Sequence, residues 1–218
     1  MGGPDPVNAA NNGTVVMRIE PAATWLRRMS PRLYRLAEPP WWLLKRLCLR
    51  QGYWDSRKDL NYYRAVIELS RKHVPAGARV IDVGALDTGV LTQLDWFPHR
   101  VALDVAYVPP RWRVQRVRMD FMEYRPPVLF DLVLCLQTLE HLNDPRPFAR
   151  KLLETGKTVI ISVPYKWPAG TYAAHKQDPV DEAKLISWTG QDPIETVIVR
   201  DGRERLIAVF IGQQSRAA

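Results

Sequence analysis

Cysteine is nearly absent: Cys48 and Cys135 are the only two in 218 residues, far apart and without metal-ligand spacing. That excludes a disulfide framework, and their apolar surroundings read as buried free thiols in a reducing compartment, hence a cytoplasmic protein. No run approaches 18 uncharged apolar residues, so no transmembrane helix is expected. The opening "MGGPDPVNAANNGT" has neither a charged n-region nor an apolar h-region, so no secretory signal is expected. No repeat or low-complexity tract is visible. Also missing is G-x-G-x-x-G, which argues against a nicotinamide-dependent oxidoreductase.

What is present suits a soluble globular chain, 46% apolar and 25% charged, large enough for one sizeable core plus an appendage. Its charge is uneven. Residues 1–75 carry 13 Lys/Arg against 6 Asp/Glu, a net +7, while residues 76–218 carry 18 against 17, a net +1. The basic third points to an anionic partner, whether a membrane surface, nucleic acid or a phosphorylated substrate, or is simply a solvated helical face. Residues 1–15, rich in Gly, Pro and Asn, are expected to be disordered. Residues 16–58 form a basic, Trp-rich extension containing Trp25, Trp41, Trp42 and Trp54, cut by Pro31 and Pro39–Pro40 into short helices. It suits either a lid with Arg stems reaching outward or a membrane-interface element.

Residues 59–218 read as one α/β domain. "DLNYYRAVIELSRKHV", Asp59 to Val74, has helical apolar spacing and a basic last turn. "RVIDVG" is strand one, followed by a helix to about Asp95. "HRVALDV" is strand two, ending at Asp104; "VQRVRMD" is strand three, ending at Asp120; "FDLVLCL" is strand four. "PRPFARKLLETG" is a helix and "KTVIISVP" is strand five. The alternation predicts a doubly wound, mostly parallel sheet. "PIETVIVR" and "RERLIAVFI" around Asp201–Gly202 add a closing antiparallel hairpin, for seven strands in all.

In such sheets ligands sit at the carboxyl ends of the strands, where strand order reverses. Asp82, Asp104 and Asp120 fall at three of those ends, after a loop that contains Gly84. Asp104 follows Asp82 by 22 residues, the separation at which a carboxylate can accept both hydroxyls of a ribose. After strand four comes "LQTLEHLNDP", with Gln137, Glu140, His141, Asp144 and Pro145. On these residues, residues 59–211 resemble the class I S-adenosylmethionine-dependent methyltransferases, in particular a small-molecule group with Glu-His-Leu after strand four. The resemblance implies a Rossmann-like fold and S-adenosyl-L-methionine as cofactor. It would place Asp82 and Gly84 near the methionine portion, Asp104 at the ribose, Asp120 and Phe121 at the adenine, and Leu136 and Gln137 beside the sulfonium, with Ala85 and Asp87 as further cofactor-binding residues. Leu86 stands where that family has a second glycine, and Asp87-Thr88-Gly89 would rebuild a turn one residue longer.

A hydroxyl acceptor needs a base or a metal, whereas an amine needs deprotonation and alignment. Of four histidines, His73 closes a helix and His99 opens a strand, which leaves His141 and His175 as candidate catalytic residues. Each has a structural alternative: Glu140–His141 as a pair that orients its loop, and His175 as a solvent-facing group. Asp178 and Asp181 would orient His175 or start the helix that reaches Trp188. No metal site is expected. The leading expectation is O-methylation of a small-molecule, sugar or lipid-linked acceptor. A methyltransferase-like binding subunit without activity is the alternative from another class, and an RNA methyltransferase is a third. The Asn/Asp-Pro-Pro-Tyr element of nucleobase-amine methylation does not follow strand four, and no DNA partner is expected.

Overall fold

A computed structural model describes residues 54–213. The expectations for residues 1–15 and for nearly all of the 16–58 extension, including the lid, and for Cys48, lie outside the described residues. Trp54, at the end of that extension, is core rather than appendage. It is buried, its ring meets Tyr63 edge-on at 4.9 Å, and its indole packs over Gly89. The folded domain therefore starts before residue 59.

Seven strands form one sheet: β1 (Arg79–Val83), β2 (His99–Asp104), β3 (Val114–Arg118), β4 (Phe130–Leu136), β5 (Gly156–Pro164), β6 (Glu195–Asp201) and β7 (Arg203–Ile211). Their order is β3-β2-β1-β4-β5-β7-β6. The first five run parallel, while β7 is antiparallel to both β5 and β6. The expected doubly wound sheet with a closing hairpin is thus present. Gly202, at φ +75°, takes the left-handed turn position that the Asp-Gly pair predicts.

β4 and β5 are almost wholly buried because helices cover both faces of the sheet, so their sequences are continuous apolar runs. On one face, α1 (Asn61–His73) turns Tyr62, Tyr63, Val66 and Leu69 inward against Val80, Leu134, Ile160 and Ile207. On the other, α3 (Arg146–Thr155) and α4 (Glu182–Thr189) bury Ala149, Leu152, Leu185 and Trp188 against Ile81, Val133 and Phe210. The free thiol of Cys135 lies in this core. Polar contacts fix α1 at both ends. The Asp201 carboxylate accepts the Asn61 and Tyr62 backbone N–H groups at 3.1 and 2.8 Å, and Glu195 pairs with Lys72 and His73 in the last turn. Among the described residues no helix is long and apolar enough to cross a membrane.

Two boundaries differ from expectation. The helix after β1 is a single turn, α2 (Val90–Gln93), because residues 84–89 are spent on the loop and the Leu94–Phe97 turn closes the other end. β3 ends at Arg118, so Asp120 lies in the following turn, where its carboxylate accepts the Met122 N–H at 2.8 Å.

Candidate active site

The strand order reverses between β1 and β4, and the cleft lies there, about 550 Å³ at the carboxyl ends of the strands. Gly84 starts its floor at φ +79°. A Cβ there would come within 2.4 Å of Thr138 Oγ1, so only glycine lets the loops after β1 and β4 approach this closely. The position with no second glycine is occupied by Leu86 itself in a left-handed conformation, φ +43°. That backbone costs a non-glycine residue roughly 1–2 kcal/mol. Asp104 offsets it by accepting the Leu86 N–H at 2.8 Å on one oxygen while its other oxygen accepts Ala106 N–H at 2.7 Å. The loop keeps its course by a carboxylate pin instead of a glycine. A carboxylate has about four lone-pair positions, so Asp104 retains two for further donors.

Along the cleft the wall turns apolar. Leu86, Val105, Met119 and Met122 are all exposed large hydrophobics and all line it, with Phe121 and Phe148 (ring centroids 4.8 Å apart) behind. Asp120 sits at the rim. Apolar side chains that converge on a cleft between two carboxylates make a slot for a flat heterocycle carrying hydroxyls.

The other expected cofactor residues fall behind this wall. Asp82 is buried beneath Val83 and Gly84. Its Oδ2 accepts the Thr88 hydroxyl at 2.8 Å, and its Oδ1 has no partner among the described residues. Burial pushes its carboxyl up to about 7, opposed by the Thr88 bond and reinforced by the charge of Asp104. Ala85 is buried, its N–H committed to the Leu103 carbonyl. Asp87 is not brought to the cleft: its carboxylate is buried against the Arg111 guanidinium at 2.9 Å. Leu136 lines a separate small cavity of about 60 Å³, beside Tyr62 and Arg205. Gln137 lines both spaces, at φ +53°, and donates to Ser162 Oγ at 3.3 Å. Tyr62, 2.6 Å from Ser162 Oγ, belongs to this corner. The sequence offers no signal for Tyr62 beyond its place in the Asp59–Val74 helix.

At the far end of the cleft the two candidate histidines meet. Their rings lie 4.9 Å apart, edge to face, although 34 residues separate them (175 − 141). His141 lines the cleft, and its Nδ1–H donates to the Ala174 carbonyl at 3.1 Å. His175 donates from Nδ1 to Asp178 at 2.7 Å, with Trp167 stacked 5.7 Å away and Tyr172 at 5.0 Å. In both rings Nε2 is left as the atom that can take up a proton or a cation. Burial holds His141 below its ordinary value, so at neutral pH that nitrogen carries a lone pair. The sequence left Asp178 and Asp181 with the same two options, and they divide the work: Asp178 orients His175, and Asp181 caps α4 through Lys184 N–H at 2.9 Å.

Glu140 stands beneath the pair, fully buried in the single 3-10 turn Leu139–His141. Among the described residues no other one donates a hydrogen bond to its carboxyl group, and burial, with repulsion from Asp178, pushes that group up to about 8. One ligand atom from each of Glu140, His141 and His175 lies within 4.8 Å of the others. The expectation of no metal site followed from the sequence because this set comes together only when the loop after β5 folds back.

No family model matches this chain, and no curated protein matches it. Solved structures do match, and they define the fold as that of the class I methyltransferases. One is N-methyltransferase NodS from Bradyrhizobium japonicum WM9, 12% identical, covering 70% of this chain and 94% of its own, with TM-score 0.57. Another is 1,6-didemethyltoxoflavin-N1-methyltransferase from Burkholderia thailandensis, 22% identical over 78% and 87% of the two chains, with TM-score 0.55, bound to S-adenosylhomocysteine. A third is a putative methyltransferase from Haloferax volcanii in complex with the Trm112 activator, 15% identical over 72% and 92%, with TM-score 0.58.

Proposed function

We propose that the protein is an S-adenosylmethionine-dependent methyltransferase that acts on a hydroxyl of a small-molecule, sugar or lipid-linked acceptor. The observation that carries this is the cleft at the strand-order reversal. Exposed Leu86, Val105, Met119 and Met122 line an apolar slot between Asp104 and Asp120. The residues fit the cofactor: Asp104 for the ribose diol, the apolar slot for adenine, and the orphaned Asp82 Oδ1 as a buried negative end beneath the cationic methionine portion. When bound, the cofactor supplies an electrophilic methyl carbon, whose bond to sulfur breaks with the electron pair leaving on sulfur.

The remaining work falls to the chain. Gly84 and Leu86 set the path of the floor, and the apolar wall keeps water from the reacting carbon. The proton of the acceptor hydroxyl is lost at the His141–His175 corner, whose Nε2 atoms face away from their Nδ1 anchors. A hydroxyl acceptor is favoured because this corner provides proton-removing chemistry that an amine free base does not need. The excess of cations in residues 1–75 supports an acceptor that is itself anionic or sits at an anionic surface.

Calorimetry with S-adenosylhomocysteine tests the cofactor reading. One-site binding in the micromolar range is expected, and no heat at any concentration rejects it. Incubation with 13C-methyl cofactor and a metabolite extract tests the acceptor reading: a methoxy carbon resonance supports it, and an N-methyl resonance replaces it with amine methylation.

A further inference from the structure

The apolar slot and Asp104 account for one end of the cleft, but not for the chemistry gathered at the other. We propose that Glu140, His141 and His175 hold a divalent transition-metal cation, and that this cation binds the acceptor oxygen; this rests on the methyltransferase reading above.

Three independent features point to a ligand. The first is the donor set. One carboxylate and two imidazoles offer ligand atoms within 4.8 Å of one another, a separation that a small contraction converts into a tripod around one ion. The second is Glu140: it is fully buried, and no other described residue donates a hydrogen bond to either oxygen. A buried carboxyl group with no donor is compensated either by its own proton or by a cation, and a cation also uses the two imidazoles beside it. The third is the way the imidazoles are held. His141 donates its Nδ1 proton to a backbone carbonyl and His175 donates its own to a buried carboxylate. Both arrangements fix the tautomer that offers Nε2, as the outer partners of metal-bound histidines do.

Charge closes the argument. Glu140 and Asp178 place two buried carboxyl groups at this corner, and a bound divalent ion would balance their charges without a further counterion. Two nitrogen donors disfavour magnesium and calcium, which prefer all-oxygen shells, and select manganese, iron(II), cobalt or zinc. Three protein donors leave positions open, and His141 places the ion at the cleft wall. An acceptor hydroxyl bound there would lose its proton to solvent more readily, since a bound divalent cation lowers the pKa of a coordinated hydroxyl. The resulting alkoxide oxygen would form its bond to the methyl carbon as the carbon–sulfur bond breaks, the electron pair leaving on sulfur to give S-adenosylhomocysteine. In this arrangement the histidines are ligands, and proton removal is the work of the cation.

The test uses untagged full-length protein after chelator treatment, titrated with Co2+ alone and followed by visible absorption. One saturable equivalent is expected. Glu140→Gln and His175→Gln should each weaken it by roughly 100-fold or more, and Asp178→Asn by about 10- to 100-fold. S-adenosylhomocysteine affinity and thermal unfolding of each variant report whether it is folded. No saturable absorption in the wild type up to about 1 mM Co2+ overturns the proposal, as does unchanged Co2+ binding in folded Glu140→Gln. Metal binding without nucleoside binding leaves this site standing and rejects the methyltransferase reading; nucleoside binding without metal rejects only this site.

Discussion

His175 and Asp178, three residues apart in the loop after β5, form a buried hydrogen-bonded pair with 2.7 Å between Nδ1 and Oδ2. Both side chains are closed to solvent, and the bond aims the other face of the imidazole at His141. An Asp178→Asn variant keeps the shape and changes which proton the ring carries. It is expected to lower kcat about 10- to 100-fold while leaving the affinity for S-adenosylhomocysteine within twofold. Steady-state kinetics with calorimetry on the same preparation decides it. Equal loss in both would mean the pair supports only the fold.

Asp104 does two jobs, and they separate experimentally. Replacement by Ala removes the acceptor for Leu86 N–H along with the proposed ribose contact. Hydrogen bonds to a charged group contribute about 1.5–3 kcal/mol, so S-adenosylhomocysteine affinity should fall roughly 10- to 100-fold. Adenine alone, which has no ribose, should lose much less if the diol contact dominates. A comparable loss for adenine would assign the effect to collapse of the loop.

Asp82 makes stability depend on pH. Its carboxyl moves from 3.8 to about 7 on folding, chiefly through burial. Between those values the folded chain holds a proton that the unfolded chain has released, so the stability it contributes is complete below pH 4 and is lost as pH rises towards 7. Chemical denaturation should show wild type losing stability relative to Asp82→Asn across that window and running parallel above it. Binding of the cationic cofactor should also expel a proton at pH 6, visible as calorimetric heats that vary with buffer ionisation enthalpy. Absence of both effects would mean Asp82 is ionised in the free protein.

The Asp201 contact to α1 predicts a local effect far from the cleft. Asp201→Ala should destabilise the domain by roughly 1 kcal/mol, the usual cost of losing a helix cap. Amide exchange should quicken first at the start of α1. Uniform acceleration throughout would show that the cap is coupled to global unfolding.

The sheet was legible because its evidence is local. β4 and β5 are apolar runs, and Asp201–Gly202 marks the hairpin. The acids at the strand ends were legible as positions, but not their environments. Asp82 and Asp87 look alike in "VIDVGALDTGVL", yet one is left with an orphaned oxygen and the other is paired to Arg111, 24 residues further on. Leu86 reads as a lost glycine, although its amide is pinned by Asp104 across the loop. The expected long helix after β1 failed for the same reason, since that turn consumes the residues the helix would need. Glu140 beside His141 and His175 was illegible as a group, because it depends on the path of the loop between β5 and α4. The Ala174 carbonyl on His141 and the Glu140 carbonyl accepting Lys176 N–H hold that path.

The position of β7 has a consequence for how the protein is made. Among the described strands β7 leaves the ribosome last, and it is inserted between β5 and β6, while α1 waits for the Asp201 carboxylate just before it. Until then β5 presents a long apolar edge with unpaired backbone groups, the kind of surface that joins to another chain. Synthesis that stalls before residue 211 therefore yields an adhesive nascent chain instead of a smaller working domain. The hairpin that completes the fold also protects it from its own copies.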